Sequence, residues 1–67
     1  MDERVQISPD HVRKLPIGTE IRVVSNKTGM VNYLWVAEKA GEKFLIDEAH
    51  MARPIKTYKG FHFERQL

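Results

Sequence analysis

Sixty-seven residues leave room for one domain with one small core, and a chain of this size buries only roughly 60% of the surface its unfolded form exposes. There is no cysteine, so no disulfide supports the fold, and a reducing, cytoplasmic setting is expected. The net charge of +2 is unevenly spread: residues 1–50 carry seven Lys/Arg against eight Asp/Glu, residues 51–67 four against one. The positive excess therefore lies in the tail and invites an anionic partner. Met1-Asp2-Glu3-Arg4-Val5 has no basic lead before an apolar run, and no stretch approaches the roughly 18 apolar residues of a membrane span. Neither a signal peptide nor a membrane partner is expected.

Val5-Gln6-Ile7-Ser8 alternates and predicts a short first strand. Ser8 then suits a helix N-cap, Pro9 the first helical position, and Asp10 the positive end of the helix dipole. Pro16 disfavours helical geometry at Leu15, which limits the helix to a turn or two near residues 9–14, with Val12 and Leu15 facing the core. Residues 19–24, 31–37 and 43–47 are dense in β-branched and aromatic side chains, with turn chemistry at Asn26-Lys27-Thr28-Gly29 and Lys39-Ala40-Gly41-Glu42. They predict a three-stranded antiparallel meander on which the rest of the chain leans.

The central strand of that meander is apolar on both faces: Val31, Tyr33, Trp35 and Ala37 share one, Leu34 and Val36 the other. Too few residues remain to cover both faces with helices, so a strongly bent sheet closing on itself is expected, with large side chains filling it. Tyr33 or Trp35 should then meet Phe44, Ile46 or Phe63 across the core. A 3₁₀ turn is expected near 47–51, then a short edge strand over 51–56 containing Pro54. Residues 60–65 alternate cleanly, with Phe61 and Phe63 on one side and His62 and Glu64 on the other, and predict a closing strand.

Leu15-Pro16-Ile17-Gly18-Thr19-Glu20-Ile21-Arg22-Val23-Val24, then strand, turn and strand, then Phe44 to Ile55 with its Arg53-Pro54-Ile55 ending, resembles the small SH3-like barrels. The resemblance covers residues 15–56. It implies an all-β, strongly bent antiparallel barrel of about five strands with one or two short helical turns, a fold that hosts peptide binders, nucleic-acid binders and structural modules alike. Lys56-Thr57-Tyr58-Lys59-Gly60-Phe61-His62-Phe63-Glu64 is similar to the last residues of DNA-binding modules that end some phage homing endonucleases. That likeness implies phage or mobile-element ancestry; the helix-turn-helix and the nuclease centre of those proteins have no counterpart in this sequence.

Phe44-Leu45-Ile46-Asp47-Glu48-Ala49-His50 resembles the Walker B box of DEAH-type helicases, in which acidic residues at a strand end hold magnesium and orient water. The chemistry also needs a Gly-x-x-x-x-Gly-Lys-Ser/Thr phosphate loop, and this chain has none. His11, His50 and His62 lack recognisable zinc spacing. His50 with Asp47 or Glu48 has no marked nucleophile nearby. No enzyme, cofactor or metal is expected, and alanine at Glu48 or His50 should abolish no activity.

A binding surface remains. Arg53, Lys56, Lys59, His62 and Arg65 intermix with Tyr58, and cations beside flat rings are what single-stranded DNA or RNA needs. Alternation puts Arg65 on the side of Phe61, at the margin of the core face, which centres the patch on Lys56, Lys59 and His62. The alternative is a protein-interaction module, including a phage-encoded inhibitor of a host protein, that uses Tyr33 and Trp35 as its contact face. Salt dependence separates these two partners. The sequence leaves the oligomeric state open.

Overall fold

The computed structural model describes residues 3–66, where six strands form one antiparallel sheet. They are β1 (Arg4–Ile7), β2 (Glu20–Ser25), β3 (Val31–Lys39), β4 (Glu42–Ile46), β5 (Ala52–Pro54) and β6 (Phe61–Gln66), in the spatial order β1-β6-β2-β3-β4-β5. A short helix, α1 (Pro9–Arg13), follows β1, and a 3₁₀ turn, Ile55–Thr57, separates β5 from β6. Among the described residues no helix is long and apolar enough to cross a membrane.

The helix forms as its caps dictate. Ser8 Oγ accepts a hydrogen bond from the His11 N–H at 3.1 Å, and Pro9 occupies the first turn, where its missing N–H costs nothing. Val12 and Leu15, three residues apart, are both buried. Past β4, a different device takes over. Asp47 Oδ1 accepts from the N–H groups of Ala49 (2.9 Å) and Met51 (3.0 Å), and His50 takes a left-handed conformation at φ 61°. That carboxylate organises a turn with no helical repeat, so the 3₁₀ geometry expected near 47–51 appears at Ile55–Thr57 instead.

The fold is all-β and every strand pair in the sheet is antiparallel, as expected, but the sheet does not close into a barrel. The strands β1 and β5 remain its two edges among the described residues. Closure would need these two to pair, and β5 is three residues long and ends in Pro54, which has no N–H to donate. The helix α1 and the 3₁₀ turn pack together on the open side, burying Val12, Leu15 and Ile55 there. The sheet is nevertheless curved. Leu45 of β4 and Phe63 of β6 stand three strand spacings apart, about 14 Å in a flat sheet, yet belong to one buried cluster. The 3₁₀ turn that leads to β6 also packs against β4, so the β4–β5 side of the sheet approaches β6.

Register settles which face is which. Ile21 pairs with Leu34, Val36 with Leu45, and Val23 and Ile7 each with Phe63; apart from the half-buried Ile7 all are buried, and with Val12, Leu15 and Ile55 they make the core. Leu34 and Val36 thus point inward. The expectation that Tyr33 or Trp35 crosses the core to Phe44, Ile46 or Phe63 is corrected: Tyr33 is 42% exposed, and Trp35, Phe44 and Ile46 are half-buried on the outer face. Trp35 does sit opposite Ile46, but outside. The physical reason is volume, since aliphatic side chains and the single ring of Phe63 already fill a core of nine residues.

The outer face reads as a grid. Trp35, Ile46 and Ala52 stand side by side in one row, and Ala37, Phe44 and Pro54 in the next. Toward β6 the same face turns polar, with Arg22 opposite Glu64 and Val24 opposite His62. The β3–β4 loop is Ala40-Gly41, with φ 54° and 80°, the two positive values of a type I′ hairpin. Alanine is a poor residue there and asparagine a good one. Ala40→Asn is expected to raise stability by about 0.5–1 kcal/mol, read as a higher urea midpoint at unchanged slope; a lower midpoint would contradict it.

Candidate functional site

An open cleft of about 750 Å³ lies between the β1–α1 corner and the segment from Ile55 to Phe63. Its basic groups are Arg13 from the end of α1, Lys56 from the 3₁₀ turn and Lys59 from the turn before β6. Its rings are Tyr58 and Phe61, both half-buried, over the buried Phe63. Among the described residues no acidic side chain lines it. Arg13 is held by an ion pair to Asp10 at 2.9 Å, three residues back on the helix, whereas Lys56 and Lys59 are exposed.

The rings form one cluster. Tyr58 meets Phe61 edge to face with centroids 6.0 Å apart, and Phe63 in the same way at 6.1 Å. The turn holds this arrangement: Tyr58 N–H donates to the Ile55 carbonyl, and Phe61 N–H to that of Tyr58. Asn26 N–H donates to the Gly60 carbonyl at 2.9 Å, which ties the β2–β3 loop to the same turn. Burial raises the pKa of the Tyr58 hydroxyl above its ordinary value, Arg53 pulls it down and Asp47 pushes it up. Tyr58 is thus a neutral ring at physiological pH.

The residues expected from the sequence divide. Lys56, Tyr58 and Lys59 come together in the cleft. Arg53 lies on the edge strand β5, exposed, close enough to act on the Tyr58 hydroxyl. His62 borders the cleft, but its alternation in β6 sends the ring to the outer face. There Nδ1 is 2.7 Å from Asn26 Oδ1 and Nε2 is 3.1 Å from Glu64 Oε2. Arg65 lines a separate hollow with Arg4, Arg22 and Glu64. Glu64 also stands 3.3 Å from Arg22 Nε, near enough for ion pairing but angled so that this buried nitrogen makes no hydrogen bond. The patch expected to centre on Lys56, Lys59 and His62 is therefore built from Lys56, Lys59 and Arg13. Arg13 was not among the sequence candidates; only the packing of α1 against the 3₁₀ turn brings it there.

Tyr33 and Trp35, the alternative contact face, lie side by side on the outer surface of β3, away from the cleft lining. Glu48 and His50 are exposed on the turn after β4, and the Asp47 carboxylate beside them is engaged by backbone N–H groups. Among the described residues no three His, Cys, Asp or Glu side chains are grouped to hold a metal ion. Comparison with protein families, with curated proteins and with solved structures gives no match.

Proposed function

We propose that this chain is a non-catalytic binding domain, an opened relative of the SH3-like barrels, that takes single-stranded nucleic acid in the cleft between α1 and β6. One observation carries the reading: three cations and two half-buried rings share a concave surface that no acidic side chain among the described residues lines. Cations neutralise phosphates and ring faces take bases, each exposed ring contributing about 1–3 kcal/mol by stacking. Sequence preference should be weak, because every base offers a π-face.

The test is a salt titration with a short oligonucleotide. Each phosphate neutralised on a single strand adds about −0.7 to the slope of log affinity against log salt. With Arg13, Lys56 and Lys59 each on one phosphate, the expected slope is about −2. Binding that ignores salt would remove the reading, and the protein-interaction alternative through Tyr33 and Trp35 would replace it.

A further inference from the structure

Resting on the reading of the cleft as a nucleic-acid site, we infer that it takes the phosphorylated end of a single strand and does not pass a continuous strand through. The surroundings of the cleft are charged unevenly. Arg13, Ile55 and Lys56, which line it where α1 packs on the 3₁₀ turn, also line a second hollow of about 490 Å³. These three residues are the divide between the two spaces. Lys59 and the rings of Tyr58 and Phe61 line the cleft and not the second hollow.

Beyond the divide, the charges oppose phosphate. The β3–β4 hairpin brings Glu38 and Glu42 into the lining of the second hollow, and both are exposed. The cation that this hairpin adds is Lys43, opposite Glu38, and its Nζ donates to the Leu15 carbonyl at 2.8 Å. A phosphodiester backbone running past Arg13 and Lys56 meets two carboxylates there, and one ammonium that is already engaged. Like charges brought together are how a charged surface rejects a wrong partner. A strand that stops at the divide avoids this repulsion. Its terminal phosphate monoester carries about 1.5–2 negative charges at neutral pH, where an internal phosphate carries one. Arg13 and Lys56 answer it with two cations. Arg13 gives one N–H to Asp10 at 2.9 Å, and a guanidinium keeps further donors for the forked contact that phosphate favours. From that end, the strand runs back over the rings towards Lys59.

The test titrates four single strands of one sequence: linear with a 5′-phosphate, linear with a 3′-phosphate, linear with neither, and closed into a circle. At about 50 mM salt, one phosphorylated end should bind about eightfold tighter than the bare linear strand, the contribution of one further phosphate charge. Which end does so identifies the source of the phosphate. The circle should bind more weakly than that phosphorylated strand. Lengthening the phosphorylated strand from about 10 to about 30 nucleotides, past the usual site size of one small domain, should still leave one copy bound per strand. Glu38→Gln/Glu42→Gln, at two exposed positions, should tighten the circle severalfold, and more than it tightens the phosphorylated strand. Equal affinity for circle and phosphorylated strand, no effect of either terminal phosphate, or copies bound in proportion to strand length would each overturn the inference, while salt-dependent affinity would keep the cleft as a nucleic-acid site. Failure of all four strands to bind would overturn both.

Discussion

Replacing Phe63 by alanine is expected to remove about half or more of the stability of the domain. Phe63 is 2% exposed and touches more of the fold than its position near the end of the chain suggests. It pairs with Ile7 on one side and Val23 on the other, and meets the Tyr58 ring edge to face. Truncating a buried phenylalanine costs about 3–5 kcal/mol. At about 0.05–0.15 kcal/mol per residue, the whole domain holds only about 3–10 kcal/mol. Urea unfolding followed by circular dichroism should show the midpoint falling to about half its wild-type value or below, at unchanged slope. Tyr33→Ala, on the exposed outer face, should cost under about 1 kcal/mol in the same assay. If the two variants lost equal stability, the assignment of inner and outer faces would fail.

The largest functional effect is expected from reversing two charges in the cleft. Lys56→Glu/Lys59→Glu removes two phosphate contacts, each contributing about eightfold to single-strand affinity at 50 mM salt. With repulsion added, affinity for a short oligonucleotide should drop at least ~100-fold, and the salt slope should flatten towards zero. Both side chains are exposed and neither joins the core, so thermal stability should not change. A companion substitution at Arg13 should cost less, because Asp10 already competes for that guanidinium. Affinity within about threefold of wild type for the double variant would remove the cleft from consideration, since that is less than one phosphate contact.

Strand positions were readable because period-two alternation and turn residues are local properties. The hairpin turns, the Ser8–Pro9 helix start and the closing strand all follow from neighbours in the chain. Face assignment on β3 was not readable. Tyr33, Trp35, Leu34 and Val36 are apolar on both sides, and only pairing with Ile21 and Leu45 turns Leu34 and Val36 inward. The 3₁₀ turn was misplaced because one carboxylate, that of Asp47, captured the backbone where a helical turn was expected. In the cleft, Lys56, Tyr58 and Lys59 were visible as a cluster along the chain. His62 and Arg65 looked equally suitable, yet alternation and the Asn26–His62–Glu64 contacts draw them elsewhere. Arg13 lies more than forty positions before Lys56 in the chain, and no local pattern joins the two.

The insertion of β6 between β1 and β2 has a consequence for synthesis. While the first sixty residues emerge from the ribosome, β2, β3, β4 and β5 can already pair as neighbours, but β1 has no strand to join. Its only partner among the described strands arrives last, and that strand also carries Phe63 into the core. The most non-local contacts thus wait for β6, and such pairings are slow to form. A nascent chain halted before residue 61 would expose the open side of the β2 strand, an unpaired edge of the kind that seeds aggregation. Completion of the core is therefore tied to the appearance of β6, because the pairing of β1 and the burial of Phe63 both depend on that strand.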